Sequence, residues 1–149
     1  MRIKIIMNTP VVFTSMIKVR ISDINYGGHV GNDSILSIIH EARLAFLNQW
    51  GFTEMNAGGC GLIMADSAIQ YKAESFYGDV IEVAISIDDI KTVSFDMYYK
   101  LQAKRENETK IIAMAKTGMI TFDYHTRSIV TIPDLLKDKL VNGNIFAIQ

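Results

Sequence analysis

Residues 23–33 read Asp-Ile-Asn-Tyr-Gly-Gly-His-Val-Gly-Asn-Asp, and residues 34–50 continue as Ser-Ile-Leu-Ser-Ile-Ile-His-Glu-Ala-Arg-Leu-Ala-Phe-Leu-Asn-Gln-Trp. The second run decides the architecture. On a helical wheel Ile35, Leu36, Ile38, Ile39, Ala42, Ala45, Phe46, Leu47 and Trp50 cover about 200°, against roughly 100° for an ordinary surface helix. Asp33, Ser34, Ser37, His40, Glu41 and Asn48 share the remainder. A helix this apolar must be enclosed, and a curved sheet can enclose it. Its expected span is Ser34–Trp50, with Asn32 and Asp33 as caps and Gly51 as its stop.

The rest of the chain supplies the sheet. Residues 11–22, rich in Val, Ile, Thr and Phe, read as a strand. After Gly58, Gly59 and Gly61, residues 62–73 read as another, and Gly78-Asp79 as a turn. Ile81, Val83, Ile85 and Ile87 alternate with Glu82, Ala84, Ser86 and Asp88. Val93, Phe95, Met97, Tyr99 and Leu101 alternate in the same way with Ser94, Asp96, Tyr98, Lys100 and Gln102. Residues 105–110 form a polar hairpin turn, and 111–122, apolar on both faces, belong inside the sheet. Pro133 opens a short helix over 133–140. The expected fold is α+β: an antiparallel sheet of about five strands around one long central helix, in a single domain over 1–149. Such a sheet leaves an edge exposed, and pairing with a second copy removes it, so a homodimer or a dimer of dimers is expected.

Composition sets the outer limits. The 149 residues are 49% hydrophobic and 21% charged, with a formal net charge of -1, so no global field draws the chain to nucleic acid. Cys60 is the one cysteine, so no internal disulfide can form, which suits a reducing cytoplasm; Cys60 reads as a small apolar filler. No apolar run reaches the roughly 18 residues of a membrane span. The apolar stretch near the N-terminus is too short for a signal peptide and is broken by Pro10. No Cys/His cluster of metal spacing, phosphate loop, dinucleotide fingerprint or Gly-x-Ser-x-Gly elbow occurs, so no metal and no cofactor is expected.

The loop carries the chemistry. Eleven residues hold two carboxylates, two carboxamides, an imidazole and three glycines, at a helix N-terminus. Such a loop can aim polar groups and backbone N–H groups at one carbonyl and at the charge that develops on its oxygen.

This order, with the loop at its head, resembles the hotdog-fold acyl thioesterases, most closely the 4-hydroxybenzoyl-CoA thioesterase-like branch. The resemblance lies in Asp23-Ile24-Asn25-Tyr26-Gly27-Gly28-His29-Val30-Gly31-Asn32, in Glu41-Ala42-Arg43, and in a strand ending at Tyr71 with Gly78-Asp79 beyond it. It covers roughly residues 15–135. Branch members that hydrolyse hydroxybenzoyl- or short-chain acyl-CoA carry an aspartate where this chain has Asn25. The plant acyl carrier protein thioesterases pair an Asp/Asn/His loop with a glutamate just after the strand tyrosine. Glu74 falls at that place and Ser75 where those enzymes have a cysteine, while their asparagine corresponds to Gly27.

The resemblance implies an acyl-CoA thioesterase in which Glu74 or Asp23 is the base or nucleophile. Asn25 orients the water or the carbonyl, and His29 with the backbone N–H groups of residues 27–31 meets the thioester oxygen or the water. Tyr26, Gly27, Gly28, Val30, Asn32 and Lys72 are the expected substrate contacts, with Lys72 and Lys116 toward the CoA phosphates. The substrate is an acyl-CoA or an acyl carrier protein thioester, CoA entering as part of the substrate, and the sites lie between subunits.

Each residue also has a purely structural reading. Asp23 serves equally as a loop cap, Asn25 as a left-handed turn residue, His29 as loop packing and Glu74 as a solvated strand end. Glu41 and Arg43 read as structural partners, and Asp79 as a turn residue. Two rivals stand beside hydrolysis: hydration or dehydration of an acyl thioester on the same fold, and acyl-thioester binding without catalysis.

Overall fold

The computed structural model describes residues 1–143; residues 144–149 of the expected domain lie outside the described residues. Strand β1 (Val11–Lys18) leads through a 3-10 turn (Ile21–Asp23) and a tight loop into helix α1 (Asn32–Asn48). Four long strands follow: β2 (Gly61–Tyr71), β3 (Val80–Asp88), β4 (Ser94–Lys104) and β5 (Thr109–Asp123). The two-residue β6 (Ser128–Ile129) and helix α2 (Asp134–Asn142) complete the described chain. The strands make one antiparallel sheet in the order β1-β3-β4-β5-β2, with β6 on β5. β5 lies inside the sheet, as its two apolar faces require, and β1 and β2 are the edges.

The alternation in the sequence becomes the inner face of the sheet. Phe95, Met97, Tyr99, Leu101 and Ala103 of β4 are all buried, as are Ile81, Val83, Ile85 and Ile87 of β3. Helix α1 sets Ile35, Ile38, Ile39, Ala42, Phe46 and Leu47 into the same core. Each such Val, Leu, Ile, Phe or Met side chain contributes about 1.5–3 kcal/mol on full burial, the alanines less. Phe46 meets Phe13 and Trp50 edge to face, with centroids 5.8 and 5.0 Å apart. The N-terminal residues cross the other face of the sheet, where Ile5 N–H donates to Gln70 Oε1 on β2 and the Thr9 hydroxyl to the Ile87 carbonyl on β3.

One charged side chain enters the core from α1. Arg43 is buried, donating from Nε to Glu54 Oε2 (3.1 Å) and from Nη1 to the phenol of Tyr99 (3.4 Å), which in turn meets Thr117 Oγ1 at 2.8 Å. Burial works against this guanidinium, but Tyr99 and Glu54 together hold its pKa above the ordinary value. Arg43 is thus structural, as its motif reading allowed, whereas Glu41 stays exposed.

Against expectation β2 ends at Tyr71 instead of residue 73, β5 starts at Thr109 inside the expected 105–110 turn, and α2 spans Asp134–Asn142 instead of 133–140. Three further boundaries differ for a local reason. β1 stops at Lys18 instead of residue 22, because Val19 N–H turns to the Asp79 carbonyl and the Asp23 carboxylate then accepts Arg20 N–H at 2.8 Å. α1 begins two residues early, with Gly31 as its N-cap; Asn32 and Asp33 are its first helical residues and cap nothing with their side chains. It ends at Asn48, short of Trp50, and Gly51 takes the left-handed φ of 71° that a terminating glycine supplies. Among the described residues no helix is long and apolar enough to cross a membrane.

Candidate active site

The loop after β1 is a miniature hairpin. Ile24 and Val30 pair, Asn25 N–H donates to the His29 carbonyl (2.9 Å), and Gly28 N–H to the Asn25 carbonyl (3.1 Å). Gly28 at φ 86° closes the three-residue tip, a backbone conformation costly to any residue with a Cβ. The Asn25 side chain accepts Gly27 N–H through Oδ1 at 2.9 Å, an Asx turn that leaves the amide donors of Nδ2 without a protein partner among the described residues. Asn25 and His29 therefore stand side by side at the base of the tip.

A second segment is tied to this hairpin. Beyond β2, Ser75 accepts Val30 N–H through its carbonyl at 2.8 Å. The Tyr71 phenol donates to the Asn32 carbonyl at 3.0 Å, joining the end of β2 to the first turn of α1. Both Lys72 N–H and Ala73 N–H donate to the Ile112 carbonyl. Between hairpin and segment lies a cleft of about 350 Å³. Asn25, His29, Val30 and Asn32 line one side, and Tyr71, Lys72, Ala73, Glu74 and Ser75 the other, with Ile35 and Ile112 also in the lining.

Inside it, His29 Nε2 stands 3.9 Å from Glu74 Oε1, and His29 Nδ1 lies 3.3 Å from the Val30 carbonyl. If Nδ1 carries the proton and donates to that carbonyl, Nε2 is left facing Glu74 as an acceptor. At the N-terminus of α1, Ser34 N–H bonds back to the Gly31 carbonyl. The N–H groups of Asn32 and Asp33 have no protein partner among the described residues, so two oriented donors and the positive end of the helix remain available.

Residues 19–140, which hold the loop, α1, the four strands that follow it and most of α2, match the thioesterase-like superfamily. The chain belongs to that superfamily. No curated protein sequence matches it. Among solved structures this thioesterase-like chain is similar to a 1,4-dihydroxy-2-naphthoyl-CoA thioesterase from Synechocystis. The two are 20% identical, with a TM-score of 0.78 over 87% of this chain and 96% of that one. It is also similar to a thioesterase-superfamily protein from Jannaschia sp. CCS1 (18% identity, TM-score 0.79, 91% and 84% covered). A hypothetical protein from Aquifex aeolicus is 25% identical, with a TM-score of 0.75 over 86% and 98% of the two chains. The architecture is the hotdog fold of the superfamily, here with a six-stranded antiparallel sheet and two helices.

Of the residues expected at the site of this thioesterase-like domain, the cleft gathers Asn25, His29, Glu74, Val30, Asn32 and Lys72. Asp23 is not among its lining residues. Its carboxylate is buried and turned back on the 3-10 turn, bonded to Arg20 N–H at 2.8 Å and to the Arg20 guanidinium at 3.4 Å. Tyr26 projects fully into solvent from the hairpin tip, and Gly27 and Gly28 shape the tip without lining the cleft. The backbone donors expected from 27–31 are mostly spent within the protein: Gly27, Gly28, Val30 and Gly31 all donate to named acceptors. Within that range His29 N–H has no acceptor among the described residues, and the next free donors follow directly, at Asn32 and Asp33. Lys116 is not among the residues lining the cleft; it is paired with Asp66 at 2.8 Å and Asp96 at 3.5 Å and borders a separate surface hollow with Tyr98 and the N-terminal residues.

Sequence reasoning missed Ile35, Tyr71, Ala73, Ser75 and Ile112 as lining residues. Tyr71 had a signal, being the strand-end tyrosine of the second motif. Ile112 had none. The β4–β5 ladder shifts register between Leu101 and Gln102 and steps over Ile112, whose carbonyl then takes both N–H groups that lead into Glu74. Among the described residues no three His, Cys, Asp or Glu side chains are grouped to hold a metal.

Proposed function

We propose that the chain hydrolyses acyl thioesters, with acyl-CoA as substrate and Glu74 as the carboxylate that activates water. The observation that carries the reading is the meeting, in one cleft, of the Asn25/His29 hairpin with Glu74 beside unpaired N–H groups at the start of α1. A direct hydrogen bond does not span 3.9 Å, but one water does, donating one hydrogen to Glu74 Oε1 and the other to His29 Nε2.

In this scheme the water attacks the thioester carbon while Glu74 takes its proton. The carbonyl oxygen, gaining charge, is held by Asn32 N–H at the positive end of α1 and by the Asn25 amide. The tetrahedral intermediate collapses by breaking the C–S bond, the thiolate takes the proton from Glu74, and acid and thiol leave. Ile35, Val30 and Ile112 offer the acyl group an apolar wall, and the exposed Lys72 stands at the same cleft to meet a CoA phosphate. On its hairpin motif we place the chain nearest the 4-hydroxybenzoyl-CoA thioesterase-like branch.

We also infer a homodimer paired along β2. That strand is an open edge of the sheet, and its last residue, Tyr71, lines the cleft, so a second copy there closes the open side of the site. A thiol-release screen over aromatic and aliphatic acyl-CoAs tests the function. The proposal expects catalytic thiol release from at least one class. Tight acyl-CoA binding with no thiol released, or conversion of an enoyl-CoA with no thiol released, refutes hydrolysis and favours binding or hydration respectively.

A further inference from the structure

Resting on that reading of the cleft, the geometry points to Arg105 and Asp79 as positioning residues that fix where the Glu74 carboxylate stands. Glu74 is loosely held for a group with so demanding a task. Its side chain is 65% exposed, and the nearest ring nitrogen, His29 Nε2, is 3.9 Å away. A side chain so free is aimed by its backbone. That backbone lies between β2 and β3, outside any strand ladder, and needs anchors from elsewhere.

The anchors are a guanidinium and a carboxylate. Arg105, in the β4–β5 hairpin, donates from Nη2 to the Glu74 carbonyl (3.2 Å) and to Asp79 Oδ2 (2.9 Å), and from Nε to Asp79 Oδ1 (3.3 Å). Asp79 Oδ2 also accepts the Ser75 hydroxyl and Phe76 N–H, each at 2.9 Å. Ser75 is almost fully buried, and its carbonyl holds Val30, the residue after His29. One ion pair thus grips the backbone of Glu74 on one side and, through Ser75, the hairpin that carries His29 on the other. Arg105 is itself braced by Glu108 Oε1 at 3.4 Å and lies 5.6 Å over the Phe76 ring.

A turn aspartate accounts for the Phe76 bond alone. It does not account for a two-pronged guanidinium reaching from another hairpin to the carbonyl of Glu74. Forked pairing of this kind fixes geometry as well as charge, and a lysine supplies the charge without the fork. Misplacement of a reacting group by about 1 Å is enough to cost on the order of 10²-fold in rate.

Arg105→Lys and Asp79→Asn, set beside Glu74→Gln and wild type, test the clamp by acyl-CoA kinetics and by amide hydrogen exchange. The clamp expects Arg105→Lys to lower kcat about 10-fold with KM within about 3-fold of wild type. It also expects the Val30 and Phe76 amides to exchange roughly 10-fold faster in both variants, while the Ile85 and Leu101 amides in the ladder keep wild-type rates. Wild-type kcat in Arg105→Lys, unchanged exchange at Val30, or faster exchange spread evenly through β3 and β4 overturns it. Full turnover in Glu74→Gln overturns the reading of the cleft instead, and exchange at Val30 then decides the clamp alone.

Discussion

Oε1 of Glu74 faces Nε2 of His29 across 3.9 Å, although one residue follows an edge strand and the other sits on a hairpin before the long helix. The two are held in register by the Val30 N–H to Ser75 carbonyl bond and share no direct hydrogen bond. On the proposed mechanism a water fills that gap, with His29 orienting what Glu74 deprotonates. His29→Gln is expected to lower kcat about 10²-fold with little change in unfolding temperature, read from thiol release and thermal melts. Undiminished kcat in that variant removes His29 from the chemistry.

The free N–H of Asn32 can be deleted without disturbing the helix. Proline is well tolerated at the first helical position, and Gly31 before it already has φ -67° and ψ 149°, the extended conformation that a residue preceding proline prefers. Asn32→Pro is therefore expected to fold normally and to lose about 10²- to 10³-fold in kcat, the usual cost of one oxyanion donor. A folded Asn32→Pro variant with wild-type kcat shows that another group holds the oxygen.

Gly28 is the hinge of the hairpin. At φ 86° an alanine there is strained even though its Cβ meets nothing within 4 Å. Gly28→Ala is expected to cost about 1–2 kcal/mol in denaturant unfolding. Equal stability means that the tip relaxes freely and does not set the spacing of Asn25 and His29.

Asp79 makes stability depend on acid. Burial alone would raise its carboxyl; hydrogen bonds from Arg105, Phe76 N–H and Ser75 outweigh burial and hold it below the ordinary carboxylate range. A carboxylate with a depressed folded pKa contributes stability that is complete above its unfolded value, about 3.9, and is lost as pH falls through the lower folded value. Asp79→Asn is expected to be less stable at neutral pH and to lose less on acidification below pH ~4. Parallel stability curves for variant and wild type across that range contradict this.

Much of the fold was legible because period-two alternation and a nearly all-apolar helix leave few alternatives. Phe95 through Ala103 alternate in burial as their sequence does, and Ile35, Ile38, Ile39, Ala42, Phe46 and Leu47 are buried as their spacing requires. The site was legible only in part. Asn25, His29 and Glu74 converge, but side-chain direction within a tight loop depends on bonds that no periodicity encodes. Asp23 and Asn25 are two residues apart, yet the 3-10 turn takes one carboxylate inward to Arg20 and the hairpin leaves the other side chain at the cleft. Arg105 and Ile112 were invisible for a different reason. Their roles arise from the β4–β5 hairpin and its register shift, which bring distant sequence against the segment holding Glu74.

The central claim is that Glu74, and not Asp23, is the carboxylate that acts on the thioester. Its most direct measurement is kcat for thiol release by Glu74→Gln and Asp23→Asn, on whichever acyl-CoA the wild type turns over fastest. The account predicts a loss of about 10²-fold or more for Glu74→Gln and kcat within about 3-fold of wild type for Asp23→Asn. Full activity in Glu74→Gln, with Asp23→Asn folded but inactive, would contradict it.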